Sequence, residues 1–111
     1  MPDCFIYFNS IQYAEYSEGN YYKTHVDQDI SSITKPDEKV RKLSFSLQLS
    51  SGNDYSGGDV KFINTDGSSF NAPRNRGCII VFDSRTQHEV TPIKSGIRKS
   101  LVGWIVGPRW I

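Results

Sequence analysis

Cysteine is scarce in this chain of 111 residues: Cys4 and Cys78 stand far apart and match neither a C-x-x-C metal pair nor a disulfide framework. They read as two buried thiols in a reducing cytosol. Long apolar runs are also missing. The stretches "CIIVF" at 78–82 and "LVGWIVG" at 101–107 are far too short to span a bilayer. The opening "MPDCFIYFNS" lacks the basic start, long apolar centre and cleavage site of a signal peptide. The expectation is a cytoplasmic protein with no membrane partner. Charge of one sign is absent too: 13 basic and 12 acidic side chains leave a formal charge of +1, no strong field for nucleic acid or anionic lipid. Helical periodicity is weak throughout, so a helical fold has no support.

What recurs is alternation rich in β-branched and aromatic residues: "FIYFNSIQYAEY", "YYKTHVD", "KLSFSLQLS", "DVKFIN", "GCIIVFDS", "HEVTPI" and "RKSLVGWIV". Turn-forming stretches separate them, among them "SEGN", "SSGNDYSGG", "NTDGSS", "PRNRG" and "KSG". Seven or eight short strands in so short a chain imply a sandwich or jelly roll. Without repeats, low-complexity tracts or linkers, residues 1–111 read as one domain. The polar stretch 28–42 has no clean period and reads as a long loop or short irregular helix, the kind of segment that serves as a lid.

Only two histidines occur, His25 and His88. In "YYKTHVDQD" an aspartate follows His25 by two positions, so a strand would aim His25 and Asp27 at one face with β-carbons roughly 6 to 7 Å apart. If the strands around 21–27 and 88–93 are neighbours, His88 reaches the same point. Two imidazoles and a carboxylate on one face leave adjacent coordination positions open, the donor set of non-haem Fe(II) oxygenases. Each piece alone is weak, since an H-x-D pair often arises by chance and a lone histidine usually does nothing. Ten residues after His88 comes Arg98, in the apolar segment "IRKSLVGWIV". A hairpin through 94–96 would bring its strand back beside that of His88. Burying its guanidinium is expensive unless an anion waits for it, and Ser100, on the same strand face, could add a hydroxyl donor.

The order H-x-D, about sixty residues, H, then ten more to a basic residue resembles the iron- and 2-oxoglutarate-dependent dioxygenases, and among them the prolyl 4-hydroxylase group. The segment "YSEGNYYKTHVD" is similar to that group's Y-x-x-G-x-x-x-x-x-H-x-D. Likewise "LSFSLQLSSGNDYSGGDVKF" is similar to its strand, loop, Gly-Gly and strand, and "GCIIVFDSRTQHEVTPIKSGIRKSLVGWIVGP" to its closing motif. The similarity runs over nearly the whole chain from about residue 11. It implies a double-stranded β-helix in which His25, Asp27 and His88 bind Fe(II). Arg98, assisted by Ser100, would hold the distal carboxylate of 2-oxoglutarate; Tyr16 would bond to the cosubstrate or shape its pocket, and Trp104 would wall it. It further implies O2 as cosubstrate, ascorbate as reductant, succinate and CO2 as coproducts, and hydroxylation of a peptide, protein or amino-acid substrate. That substrate would be gripped by the 28–42 loop, by "SSGNDYSGG" and by Arg85.

The chain also departs from the resemblance. Such proteins usually carry helices before the H-x-D strand that buttress one sheet, and this sequence leaves room for almost none. A reduced or truncated form with an exposed, self-associating sheet face is the expectation. Two other classes compete: a noncatalytic jelly-roll module for sugars or peptides, and a metal-binding but inert relative. Metal analysis separates the first from an enzyme, and turnover separates the second. A nucleic-acid demethylase would share the ligands, but the near-zero net charge argues against a nucleic-acid partner.

Overall fold

The computed structural model describes residues 7–35 and 38–110. Alternation of apolar and polar residues builds ten strands there: β1 (Tyr7–Tyr16), β2 (Tyr22–His25), β3 (Val40–Gln48), β4 (Tyr55–Gly57), β5 (Val60–Ile63), β6 (Ser69–Asn71), β7 (Ile79–Asp83), β8 (Gln87–Val90), β9 (Ile93–Gly96) and β10 (Arg98–Gly107). A single 3-10 turn, Ile30–Ser32, is capped by the Asp29 carboxylate, which accepts from Ser31 N at 3.0 Å. No α-helix occurs among the described residues, and no helix there is long and apolar enough to cross a membrane. Cys4 and residues 5–6 of the first expected strand lie outside the described residues; Cys78 is a free thiol, partly exposed.

Two four-stranded sheets, ordered β1-β10-β3-β7 and β2-β8-β5-β6, enclose a cavity, and β4 pairs with β9 at one side. Every pairing is antiparallel. This is the expected jelly-roll architecture, with more strands than the seven or eight anticipated. The short strands β4 and β6 hide in stretches whose glycines, serines and asparagines read as turns. The segment 94–96 is a correction of another kind. Instead of turning a hairpin it continues β9 along β4, where an added Cβ on Gly96 would sit 2.1 Å from Asp54 O. The chain then crosses to the other sheet, so Arg98 faces His88 across the cavity rather than from a neighbouring strand.

Register explains which face meets the cavity. Directly paired residues of an antiparallel sheet share a face, and Arg98 pairs with Tyr16, Ser100 with Ala14 and Gln48, and Trp104 with Ser44. This inner face is therefore largely polar. The opposite face carries Ile11, Tyr13, Leu43, Ile79 and Val81, all exposed, with Ile11 56% and Val81 53% accessible. The alternation is inverted relative to an ordinary half-buried sheet, because the inner face lines a site instead of a dry core. The dry core is small and sits in the other sheet and at the ends, around Phe62, Ile93 and Val40.

Candidate active site

Strands β2 and β8 lie side by side with His25 directly opposite His88. Strand β2 ends at His25, so Asp27 is not placed by strand alternation. The backbone N–H groups of Asp27 and Gln28 both donate to Ser84 O, each at 2.9 Å, and this turn swings the carboxylate back toward the histidines. One oxygen, Asp27 Oδ1, lies 3.3 Å from His25 Nε2 and 3.3 Å from His88 Nε2. A ligand atom from each of the three residues lies within 4.8 Å of the others.

The imidazoles are oriented by their far nitrogens. His25 Nδ1 lies 2.8 Å from Lys23 O and His88 Nδ1 2.9 Å from Thr86 O. A carbonyl only accepts, so each Nδ1 carries a proton and each Nε2 is left facing the shared point. Metal-binding histidines are usually fixed in this way. His88 is further wedged by Phe82, ring centroids 4.8 Å apart. Burial alone would raise the Asp27 pKa, but hydrogen bonds from His88, Ser44 and Trp104 and the His88 charge outweigh it and hold the group at about 2. Burial lowers the His88 pKa, yet Asp27 and the Thr86 carbonyl overcome it and the net shift is upward. The donor set suits a divalent cation: two imidazoles and one carboxylate ionised at any physiological pH, with Asp27 Oδ1 3.3 Å from both Nε2 atoms, close to the roughly 3 Å between adjacent corners of an octahedron with bonds of about 2.1 Å.

Trp104, expected as a wall, also donates its indole N–H to Asp27 Oδ2 at 3.1 Å. Residues on both sheets enclose a cavity of about 410 Å³, with the His-Asp cluster on one side and Arg98 and Tyr16 on the other. Arg98 is 3% exposed; burial lowers its pKa, countered by the Tyr55 and Tyr16 phenols. Its contacts are hydroxyls: Nη1 donates to Ser100 Oγ at 3.4 Å and Nη2 to Ser46 Oγ at 3.5 Å, while Nε is buried with no partner. A buried cation lacking a counter-charge and one donor short is built to receive an anion. Tyr16 is half-buried, its ring centroid 5.6 Å from the guanidinium carbon, and Ser100 is fully buried against Arg98.

The expected substrate grips fare differently. Arg85 is held by Asp83, with Nε to Oδ1 at 3.0 Å and Nη2 to Oδ2 at 2.7 Å, and stacks on Trp110, so it does not line the cavity. No residue of 50–58 lines it either, and of the 28–42 loop only Arg41 does. Sequence reasoning missed Arg41, whose guanidinium stacks 3.9 Å over Trp104. Strand β3 begins at Val40, two residues earlier than the alternation suggested, and that puts Arg41 on the sheet. Ser44 and Ser84, whose hydroxyls lie 2.9 Å apart in full burial, were missed as well, since serines carry no periodic signal.

Comparison with known proteins follows the same lines. The sequence model of the 2OG-Fe(II) oxygenase superfamily matches residues 11–106. A PKHD-type hydroxylase of Synechococcus sp. (strain JA-2-3B'a(2-13)) is 33% identical over 98 residues, covering 87% of this chain and 42% of the relative. The chain thus spans about two fifths of that relative's length. A Pseudomonas putida prolyl-4-hydroxylase superposes with a TM-score of 0.68 at 30% identity, over 90% of this chain and 52% of that one. The viral collagen prolyl hydroxylase of Paramecium Bursaria Chlorella virus-1 has the same fold, with a TM-score of 0.70 at 24% identity over 95% of this chain and 62% of the other. With the family match spanning both histidines, Asp27 and Arg98, this chain belongs to the 2OG-Fe(II) oxygenase superfamily.

Proposed function

We propose that this chain carries the site of an Fe(II)- and 2-oxoglutarate-dependent dioxygenase that hydroxylates a carbon of a peptide, protein or amino-acid substrate, a prolyl residue foremost, with succinate and CO2 as coproducts. The observation that carries the reading is the buried, partner-short Arg98 across one cavity from the His25–Asp27–His88 cluster. The likeness to proteins described as PKHD-type hydroxylase and prolyl-4-hydroxylase supports the hydroxylase class.

In this reading His25, Asp27 and His88 would hold the iron, and the cosubstrate and dioxygen would bind it from the cavity. Bound iron and 2-oxoglutarate supply the oxidising chemistry, with ascorbate as the reductant that keeps the metal ferrous. The chain does the positioning. Trp104 occupies Oδ2 of Asp27 and leaves Oδ1 toward the two histidines. Arg98, oriented by Ser100, draws the distal carboxylate of the keto acid to the far side of the cavity, with Tyr16 beside it. Phe82 and Val102 keep water from the reacting atoms, and Arg41 leaves a cation on the wall for a polar group of the substrate.

The test is a succinate-release screen with Fe(II) and ascorbate over proline-containing peptides and free amino acids, followed by mass spectrometry for an added oxygen. Succinate stoichiometric with one hydroxylated product is the expected result. A folded, iron-loaded protein that binds no keto acid overturns the reading; one that binds it without turnover is the inert relative.

A further inference from the structure

A second cation lines the cavity besides Arg98, and it has no charge to meet. Arg41, near the start of β3, is only partly exposed on the cavity wall. Its guanidinium lies 3.9 Å over the Trp104 ring and makes no hydrogen bond or ion pair among the described residues. By contrast Arg74, Arg76 and Arg85 each have a carboxylate, from Asp59, Asp54 and Asp83. An arginine held by its face keeps its N–H edge for a planar anion, which it takes with two parallel hydrogen bonds.

The position of Arg41 is fixed on the metal side. The Trp104 indole under it donates to Asp27 Oδ2 at 3.1 Å, so one ring separates the guanidinium from the Asp27 carboxylate. The Arg41 backbone N–H donates to Gln28 Oε1 at 2.9 Å, and the Gln28 N–H donates at 2.9 Å to Ser84 O, the carbonyl that also turns Asp27 inward. Arg41 pairs with Val106, near the opposite end of β10 from Arg98. The two cavity arginines therefore serve different anions.

Charge decides what completes the second one. With a divalent ion and 2-oxoglutarate bound, the ion and Arg98 are balanced by Asp27 and the two carboxylates of the keto acid. Arg41 is the cation left over. Among the described residues of the cavity lining no acidic side chain accompanies Asp27, so nothing there neutralises Arg41 and nothing there receives an ammonium group. A partly buried charge without a partner is unfavourable, and a carboxylate brought by the substrate relieves it.

We propose that Arg41 is a specificity-determining residue that binds a carboxylate of the prime substrate, and that this substrate is an amino acid acylated on its nitrogen, as a single molecule or as the C-terminal residue of a peptide. The inference rests on the dioxygenase reading and narrows its substrate class, because an internal residue has no main-chain carboxylate.

The experiment is thermal-shift titration, under nitrogen, of the protein loaded with Mn(II) and 2-oxoglutarate. The probes are N-acetyl-L-amino acids of every side-chain type, their primary amides and the unacylated amino acids. At least one acetyl acid is expected to bind roughly 10- to 100-fold tighter than its amide, the worth of hydrogen bonds to a charged group. In Arg41→Gln, which keeps a planar side chain beside Trp104, that preference disappears; in Arg41→Lys, which keeps the charge and loses the fork, part of it remains. Comparing the best acid with its N-acetylglycyl extension assigns the carboxylate to a single acylated amino acid or to a peptide terminus. Equal binding of acid and amide, binding of neither, tighter binding of the unacylated amino acid, or a preference that survives Arg41→Gln overturns the proposal. So does a 2-oxoglutarate affinity that falls in Arg41→Gln as far as that for the acid, which would put the cosubstrate on Arg41. Failure to load 2-oxoglutarate at all overturns the dioxygenase reading as well, whereas normal loading with equal binding of acid and amide removes only the role of Arg41.

Discussion

Trp104 on β10 donates its indole N–H to Oδ2 of Asp27 at 3.1 Å, joining the two sheets across the cavity. The bond fixes which carboxylate oxygen faces the histidines, and Arg41 stacked on the same indole holds the ring from its other side.

Replacing Trp104 with Phe keeps an aromatic wall and removes the donor. The expected outcome is a metal affinity lower by about tenfold or more, the usual cost of losing a partner behind a metal ligand, with the fold intact by circular dichroism. Titration with Mn(II) measures it, and an unchanged affinity would show that Asp27 is held by Ser44 and Ser84 alone.

Metal affinity should depend on pH through the Asp27–His88 pair. In the metal-free protein the Asp27 carboxylate raises the His88 pKa above its ordinary value, so a proton competes with the ion for the same position. As pH falls below the His88 pKa, each further unit should weaken Mn(II) binding about tenfold, one proton being displaced per ion. The linkage to stability has the opposite sense for the two groups. His88, with its folded pKa raised, stabilises the metal-free fold below 6.5 and loses that contribution as pH rises through its folded value. Asp27, held at about 2 against an ordinary 3.8, contributes above 3.8 and loses its contribution as pH falls toward 2. Thermal melts of chelator-treated protein across these ranges test both signs.

Changing Arg98 to Ala strips the cavity of its buried cation and leaves the distal carboxylate of a bound keto acid unpaired. The penalty is roughly 2 to 5 kcal/mol, a rise of about 30-fold to several thousand-fold in the KM for 2-oxoglutarate. Steady-state kinetics at saturating iron reads it directly. An unaltered KM would place Arg98 outside the cosubstrate site.

The outer face of the β1-β10-β3-β7 sheet is expected to drive self-association, because Ile11, Tyr13, Ile79 and Val81 form an exposed apolar surface on it. The double variant Ile79→Lys, Val81→Lys should lower the concentration-dependent mass seen by sedimentation. Its melting temperature should change little, since both side chains are more than half exposed. Association that persists in this variant would point to strand edges instead.

The strands were legible because alternation of β-branched and aromatic residues is a local property with a period of two. The separations of His25, Asp27, His88 and Arg98 were equally visible, since they are distances along the chain. What alternation could not reveal was the side of the sheet facing inward. On β10 the polar members, Arg98 and Ser100, are buried while apolar Leu101 is partly exposed, the reverse of the usual rule.

By itself, then, the sequence determined a β fold and a sparse set of side chains able to bind a cation and an anion. Only the tertiary structure decided how they meet. Ser84 O gathers two N–H groups to turn Asp27 inward, and β9 carries the chain to the opposite sheet so that Arg98 faces the histidines. None of these has a signature in sequence spacing, because each is a contact between segments far apart in the chain whose partners are carbonyls, hydroxyls and glycine backbone, groups that every loop contains.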